Sequence, residues 1–107
     1  MASAFKNAKL DLTTTGATTL YPAPAAKTAI FKSILVSEDS GNADTVTATI
    51  TDASAAVFSL FKVKAVAANT AVELLSQPLI VETGEILKFT AATANRLHVV
   101  ASYLEVS

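Results

Sequence analysis

The chain has 107 residues, a formal net charge of -1 and no cysteine, so one domain around one core is expected, and disulfides, thiolate metal sites and cysteine nucleophiles are excluded by inventory. Eight Lys and Arg against nine Asp and Glu leave no cationic footprint for nucleic acid, which is held by clustered Lys and Arg that displace phosphate counterions. Ala and Thr make up about a third of the chain and aromatic residues only 7%, so the core must be built from small and β-branched side chains.

Only 16% of residues are charged and the mean hydropathy is +0.47, a surface too poor in charge for a lone monomer, which implies burial in an assembly. The opening Met1 to Asn7 lacks the basic and continuous apolar regions of a signal peptide. No apolar run reaches the roughly 20 residues of a membrane span. Synthesis in the cytosol and no membrane partner are therefore expected.

In chain order, Phe5 to Thr13 alternates loosely, with Phe5, Lys9 and Asp11 on one parity and Ala8, Leu10 and Leu12 on the other. Residues 1–13 accordingly read as an N-terminal arm or edge strand ahead of a sandwich domain over 14–107. Thr13 to Gly16 marks a turn. Thr18 to Tyr21 is a short strand stopped by Pro22-Ala23-Pro24, whose prolines keep it out of a sheet centre. From Lys27 to Ser37 apolar residues occupy both parities, Ile30, Ile34 and Val36 against Ala29, Phe31 and Leu35. That is the pattern of a strand covered on both sides, with another subunit as one candidate cover. Glu38 to Asn42 predicts a polar turn that makes the next strand an antiparallel neighbour.

That next strand, Thr45 to Thr51, is the clearest element of the sequence. Val46, Ala48 and Ile50 share a dry face while Thr45, Thr47, Thr49 and Thr51 share a wet one. The Asp52 to Ala55 turn leads into Val57 to Ala65, where Val57, Phe61, Val63 and Ala65 are the expected core face and Phe58, Leu60, Lys62 and Lys64 oppose them. Ala67 to Asn69 is a turn before Thr70 to Leu75, and Gln77-Pro78 separates this from Leu79 to Glu82. Glu82-Thr83-Gly84-Glu85 predicts a hairpin between Leu79–Val81 and Ile86–Phe89. Leu97 to Val106 again carries apolar groups on both parities. About eight strands at this spacing indicate an all-β, single-domain antiparallel β-sandwich. The Ala53 to Ala56 and Ala65 to Ala71 stretches are too short to nucleate helices unaided.

No constellation of catalytic residues emerges. His98 is the sole histidine and lies between Leu97 and Val99, without the three or four ligands of a zinc site. No Gly-x-Ser-x-Gly elbow accompanies the serines. The Glu38 to Asp44 loop is the best candidate for a hard cation, yet it lacks the alternation and terminal Glu of an EF-hand. Glu82 and Glu85 sit at a turn with no cleft to separate their proton affinities. The glycines at 16, 41 and 84 are too dispersed to cradle phosphate. Tyr21 and Tyr103 are the only tyrosines available as a sugar-binding platform. No catalytic residue, cofactor or metal is therefore assigned.

The stretches Thr15 to Pro24, Lys27 to Ser37 and Gly41 to Thr47, with the closing Ala94 to Leu104, resemble small virion structural proteins of tailed bacteriophages. The resemblance covers most of residues 14–106 as a texture of strands and turns. Within that class it implies a capsid decoration, or cement, protein: a compact β-sandwich or jelly roll that trimerises on the shell. The implied partners are the major capsid protein and the chain itself as a homotrimer. The implied location is the capsid surface, after synthesis in the host bacterial cytoplasm. Phe58, Leu60, Tyr103 and Leu104 are the expected interface residues, and the Ala2 to Leu12 arm is expected on the shell. The alternatives are a neck or tail-fibre accessory protein and a carbohydrate-binding host-recognition module.

Overall fold

The computed structural model describes residues 3–107. Its nine strands are β1 (Ser3–Leu12), β2 (Thr18–Pro22), β3 (Thr28–Glu38), β4 (Asp44–Thr51), β5 (Val57–Val66), β6 (Ala71–Glu73), β7 (Leu79–Val81), β8 (Ile86–Ala91) and β9 (Leu97–Val106). All described pairings are antiparallel. Sheet I has the order β1-β9-β3-β6, with β7 also on β3, and sheet II has the order β2-β8-β4-β5.

The pairs are nested: β1 with β9, β2 with β8, β3 with β6 and β7, and β4 with β5. A long antiparallel ribbon wound on itself gives this order, which is that of a jelly roll. β6 and β7 together fill one strand position, so the nine strands occupy eight. The expected β-sandwich is the fold, and no helix occurs among the described residues.

Two expected hairpins are instead crossings between the sheets. The turn after Glu38 joins β3 of sheet I to β4 of sheet II, and the Glu82 to Glu85 turn joins β7 to β8. Both turns form locally, as Glu85 N–H to Glu82 C=O at 3.0 Å illustrates. Turn residues dictate a reversal, whereas partner choice is decided by which faces bury together. The Asp52 turn does join paired strands, and the Asp52 carboxylate accepts from Ser54 and Ala56 N–H, both at 2.9 Å.

The apolar residues on both parities of β3 have a different cause from double coverage. The β3–β9 register shifts between Phe31 and Ser33, so Lys32 is an extra residue. Ala29 and Phe31 point inward before it, and Ile34, Val36 and Glu38 point inward after it. One bulged residue exchanges the two faces of a strand. β9 stays regular: Leu97, Val99, Ala101, Tyr103 and Glu105 are buried, and its other parity forms the outer face of sheet I.

β5 departs further from expectation. Its pairing with β4 shifts between Val46 and Ala48 and again between Ala48 and Thr49. Val63 takes φ 53° at this irregularity, and its N–H donates to Thr47 Oγ1 at 3.0 Å. Val57 and Val63, expected in the core, are exposed, as is Ala65, and Phe61 is only partly buried. Bulges of this kind protect an edge strand from further pairing. β4 behaves as read: Val46 and Ala48 are buried and its threonines lie at the outer face of sheet II.

The core is therefore a thin layer of Leu, Val, Ala and Ile pinned by Phe31 and Phe89, both fully buried. Phe89→Ala is expected to lower the unfolding free energy by about 3–5 kcal/mol. Phe58→Ala, at the exposed edge, is expected to cost no more than about 1 kcal/mol. Urea titrations of the two variants test the assignment of inside and outside.

Candidate functional site

Three carboxylates are buried among the described residues: Asp44, which accepts from Thr93 N–H at 3.0 Å, and Glu38 and Glu105 at opposite ends of sheet I. Glu105 lies on the inward parity of β9, where β1 and β2 bring Lys6 and Tyr21 to it. Its Oε1 accepts from Lys6 Nζ at 2.7 Å, and its Oε2 accepts from Tyr21 OH at 2.8 Å. Lys27 Nζ is 3.8 Å away. These two hydrogen bonds, from Lys6 first, hold the Glu105 carboxyl below its ordinary range despite burial. The Lys6 ammonium is pushed up in return. Burial, then the bond to Glu105, pushes the Tyr21 hydroxyl up.

Beneath this group three rings pack together. Tyr21, Phe31 and Tyr103 have centroid separations of 5.4, 4.9 and 4.8 Å. Tyr21 and Tyr103 are only 5% and 7% exposed, so neither supplies the open platform that sugar stacking needs. The cluster ties β1, β2, β3 and β9 together.

Glu38 lies at the other end of sheet I. Its carboxylate accepts from Ser40 N–H at 2.8 Å, Gly41 N–H at 3.1 Å, Asn69 N–H at 3.1 Å and the Ser40 hydroxyl. Burial alone pushes this carboxyl up, but the donors from Ser40, Asn69 and Gly41 outweigh it and hold it at about 2. Gly41 adopts φ 85°, a backbone suited to glycine that aims its N–H at the carboxylate. The loop expected as the best cation candidate thus spends its first carboxylate on clamping two turns. No cluster of three or more potential metal ligands occurs among the described residues.

His98 acquires neighbours that its sequence position did not reveal. On the outer face of sheet I, Asp11 and Ser37 are its direct cross-strand partners. Its Nε2 is 3.4 Å from Asp11 Oδ1 and its Nδ1 is 3.7 Å from Asp39 Oδ1. The residue types are those of a nucleophilic triad, but both ring nitrogens face carboxylates. Among the described residues no hydrogen bond joins the ring to the Ser37 hydroxyl, the contact by which the base of a triad meets its nucleophile.

The sheets differ in their outer faces. Sheet II shows Thr45, Thr47, Thr49 and Thr51 of β4, all partly exposed. Sheet I exposes Phe5, Leu35, Ile80 and Val100, with fractional exposures from 40% to 79%. The remaining exposed large apolar residues among those described, Val57, Phe58 and Val63, are on β5. Beside β5, a cavity of about 270 Å³ runs between Leu60 and Phe61 and the Leu74 to Leu79 segment.

The four expected interface residues separate on this map. Phe58 and Leu60 are on the β5 edge, Leu60 lining the apolar cavity. Leu104 is partly exposed on the outer face of sheet I, and Tyr103 points inward to the ring cluster. Of the expected shell-contacting arm, Ala2 lies outside the described residues. Ser3 to Leu12 pairs with β9 along its whole length. From the sequence Glu38 was read only as the start of a turn and cation-candidate loop, and Glu105 was not singled out, although the apolar parity of Leu97 to Tyr103 extends directly to Glu105.

No protein-family model and no curated protein matches the chain. A chain in the structure of infectious bursal disease virus, Gt strain, superposes with a TM-score of 0.47 at 8% sequence identity. The match covers 98% of this chain and 30% of the viral one, so this chain spans less than a third of that protein's length.

The Glu38 clamp sets an acid response. Its folded proton affinity lies below the ordinary value of 4.5, so its contribution is fully present above pH 4.5 and is lost as pH falls through about 2. Glu38→Gln is expected to lower the urea midpoint at pH 7. The gap between the two proteins should narrow steadily from pH 4.5 to pH 2, as paired titrations at several pH values would show.

Proposed function

We propose that this chain is a non-enzymatic virion structural protein of tailed-phage decoration type. It binds the capsid exterior, with the major capsid protein and further copies of itself as partners, and stabilises the shell. The observation that carries the reading is the presence of two separate exposed apolar surfaces, the outer face of sheet I and the β5 edge with its groove. The threonine-lined outer face of sheet II is suited to solvent. A protein that both self-associates and sits on a lattice needs two such surfaces.

The mechanism is thermodynamic. A protein that binds the assembled shell better than its free subunits shifts the equilibrium toward the shell by that difference in affinity. Linking several copies raises the effective concentration of each remaining contact. The sequence resemblance adds the tailed-phage source, the capsid surface as location and three copies per assembly.

In purified particles from the source, the copy number of this chain is expected to be of the same order as that of the most abundant shell protein. A few copies per particle would instead place it at the neck or fibres, and absence from particles would remove the virion reading.

A further inference from the structure

The side of the sandwich where both sheets end carries a groove. β5 is the last strand of sheet II, and β6 and β7 lie at the end of sheet I. Between these edges runs the cavity bounded by Leu60 and Phe61 on one side and by Leu74 to Leu79 on the other. Its polar lining residues, Ser76 and Gln77, make no side-chain hydrogen bond among the described residues. Cross-strand partners in a ladder share a face. Phe58, Phe61 and Lys64 are the partners of Ile50, Ala48 and Val46, the inward parity of β4, so all three belong to the side of β5 turned toward sheet I. That side therefore reads aromatic, aromatic, cation. Phe58 is 54% exposed. Lys64 is exposed, as is Lys62 beside Phe61.

The formal net charge of -1 is a poor guide to the charge that a partner meets. Of the nine Asp and Glu, Glu38, Glu73, Glu85, Glu105, Asp44 and Asp52 accept hydrogen bonds within the chain. Asp11 and Asp39 face His98, which leaves Glu82 alone uncommitted. Among the lysines, Lys6 and Lys27 meet Glu105. Lys9, Lys32, Lys62, Lys64 and Lys88 meet no carboxylate among the described residues. The charge left for a partner is thus cationic, and beside this groove it is Lys62 and Lys64.

This pattern selects the occupant. A second copy has one uncommitted carboxylate, in its β7–β8 turn, and its described residues are already folded into the sandwich. The two register shifts in β5 and the φ of 53° at Val63 also interrupt the edge against strand addition by a copy. A polyphosphate would meet the lysines but leave Leu60, Phe61 and Leu74 uncovered. An extended protein segment that carries both apolar side chains and carboxylates satisfies both halves of the groove.

We propose that the groove beside β5 is the surface by which this chain holds the shell, and that its occupant is an extended acidic segment of the major capsid protein. The proposal rests on the virion reading and names its contact surface. Apolar side chains of the segment pack between Phe61 and the Leu74 to Leu79 wall, Ser76 and Gln77 meet its backbone, and its carboxylates meet Lys62 and Lys64. The apolar contacts supply affinity, while the exposed lysines supply register and encounter rate. Binding therefore weakens as salt screens the lysines.

The test uses shells purified from particles assembled without this chain and titrated with the full-length protein. Lys62→Glu with Lys64→Glu is expected to raise the dissociation constant about tenfold or more. Lys9→Glu with Lys32→Glu makes the same change in charge away from the groove and is expected to shift it by less than about twofold. All four lysines are exposed, so the urea midpoints should stay close to that of the unmodified chain. Carbodiimide treatment of the complex, which joins a lysine amine to a carboxylate as an amide with loss of water, is expected to link Lys62 or Lys64 to the capsid protein.

Unchanged binding of the Lys62 and Lys64 variant, equal weakening by the two double variants, or amides confined to Lys9, Lys32 and Lys88 would overturn the proposal and leave the virion reading in place. Failure of the unmodified chain to bind shells at all would remove the virion reading, and the assignment of this groove to the shell with it.

Discussion

The accommodation of one extra residue in β3, Lys32, as a bulge is the constraint on which the rest of the structure depends. β3 and β9 are the central pair of sheet I, and β9 alternates regularly from Leu97 to Glu105. β3 matches it only by changing parity at the bulge. Ahead of Lys32, Phe31 turns inward to meet Tyr21 and Tyr103. After it, Ile34 and Val36 fill the core and Glu38 arrives buried at the turn it clamps. The same change places Ile30 and Leu35 toward the outer face of sheet I.

A core of small side chains buries limited apolar area per residue, so the connections that cross between sheets need fixing by other means. Buried carboxylates provide it here. Glu38 gathers donors from the turn after β3 and from Asn69 ahead of β6. Glu105 joins β9 to Lys6 of β1 and Tyr21 of β2. A buried charge is costly unless its lone pairs are filled, and no buried side-chain polar atom among the described residues lacks a partner. These groups are structural clamps.

Much of this was legible in the sequence. The alternation of Val46, Ala48 and Ile50 with threonines gave the orientation of β4, and the prolines after Tyr21 placed β2 at an edge. The sandwich class followed from strand spacing. The bulge was not legible, because one inserted residue leaves the same pattern of apolar groups on both parities as double coverage does. Likewise, Gly41 and Gly84 announced turns, but whether a turn closes a hairpin or crosses to the other sheet depends on distant partners. For the site, Leu104, Phe58 and Leu60 were placed on or beside the exposed apolar surfaces, while Tyr103 went inward with its strand parity. Asp11, Asp39 and His98 are brought together only by the pairing of β1 with β9 and the turn after β3.

The most direct measurement is the urea unfolding of a chain lacking Lys32. With the bulge removed, Phe31 still faces inward, Ser33 outward and Ile34 inward, so β3 becomes a regular strand with the same buried set. Cooperative unfolding with a loss of no more than about 2 kcal/mol is expected. A chain without a cooperative transition would contradict the bulge and return β3 to a strand covered on both faces.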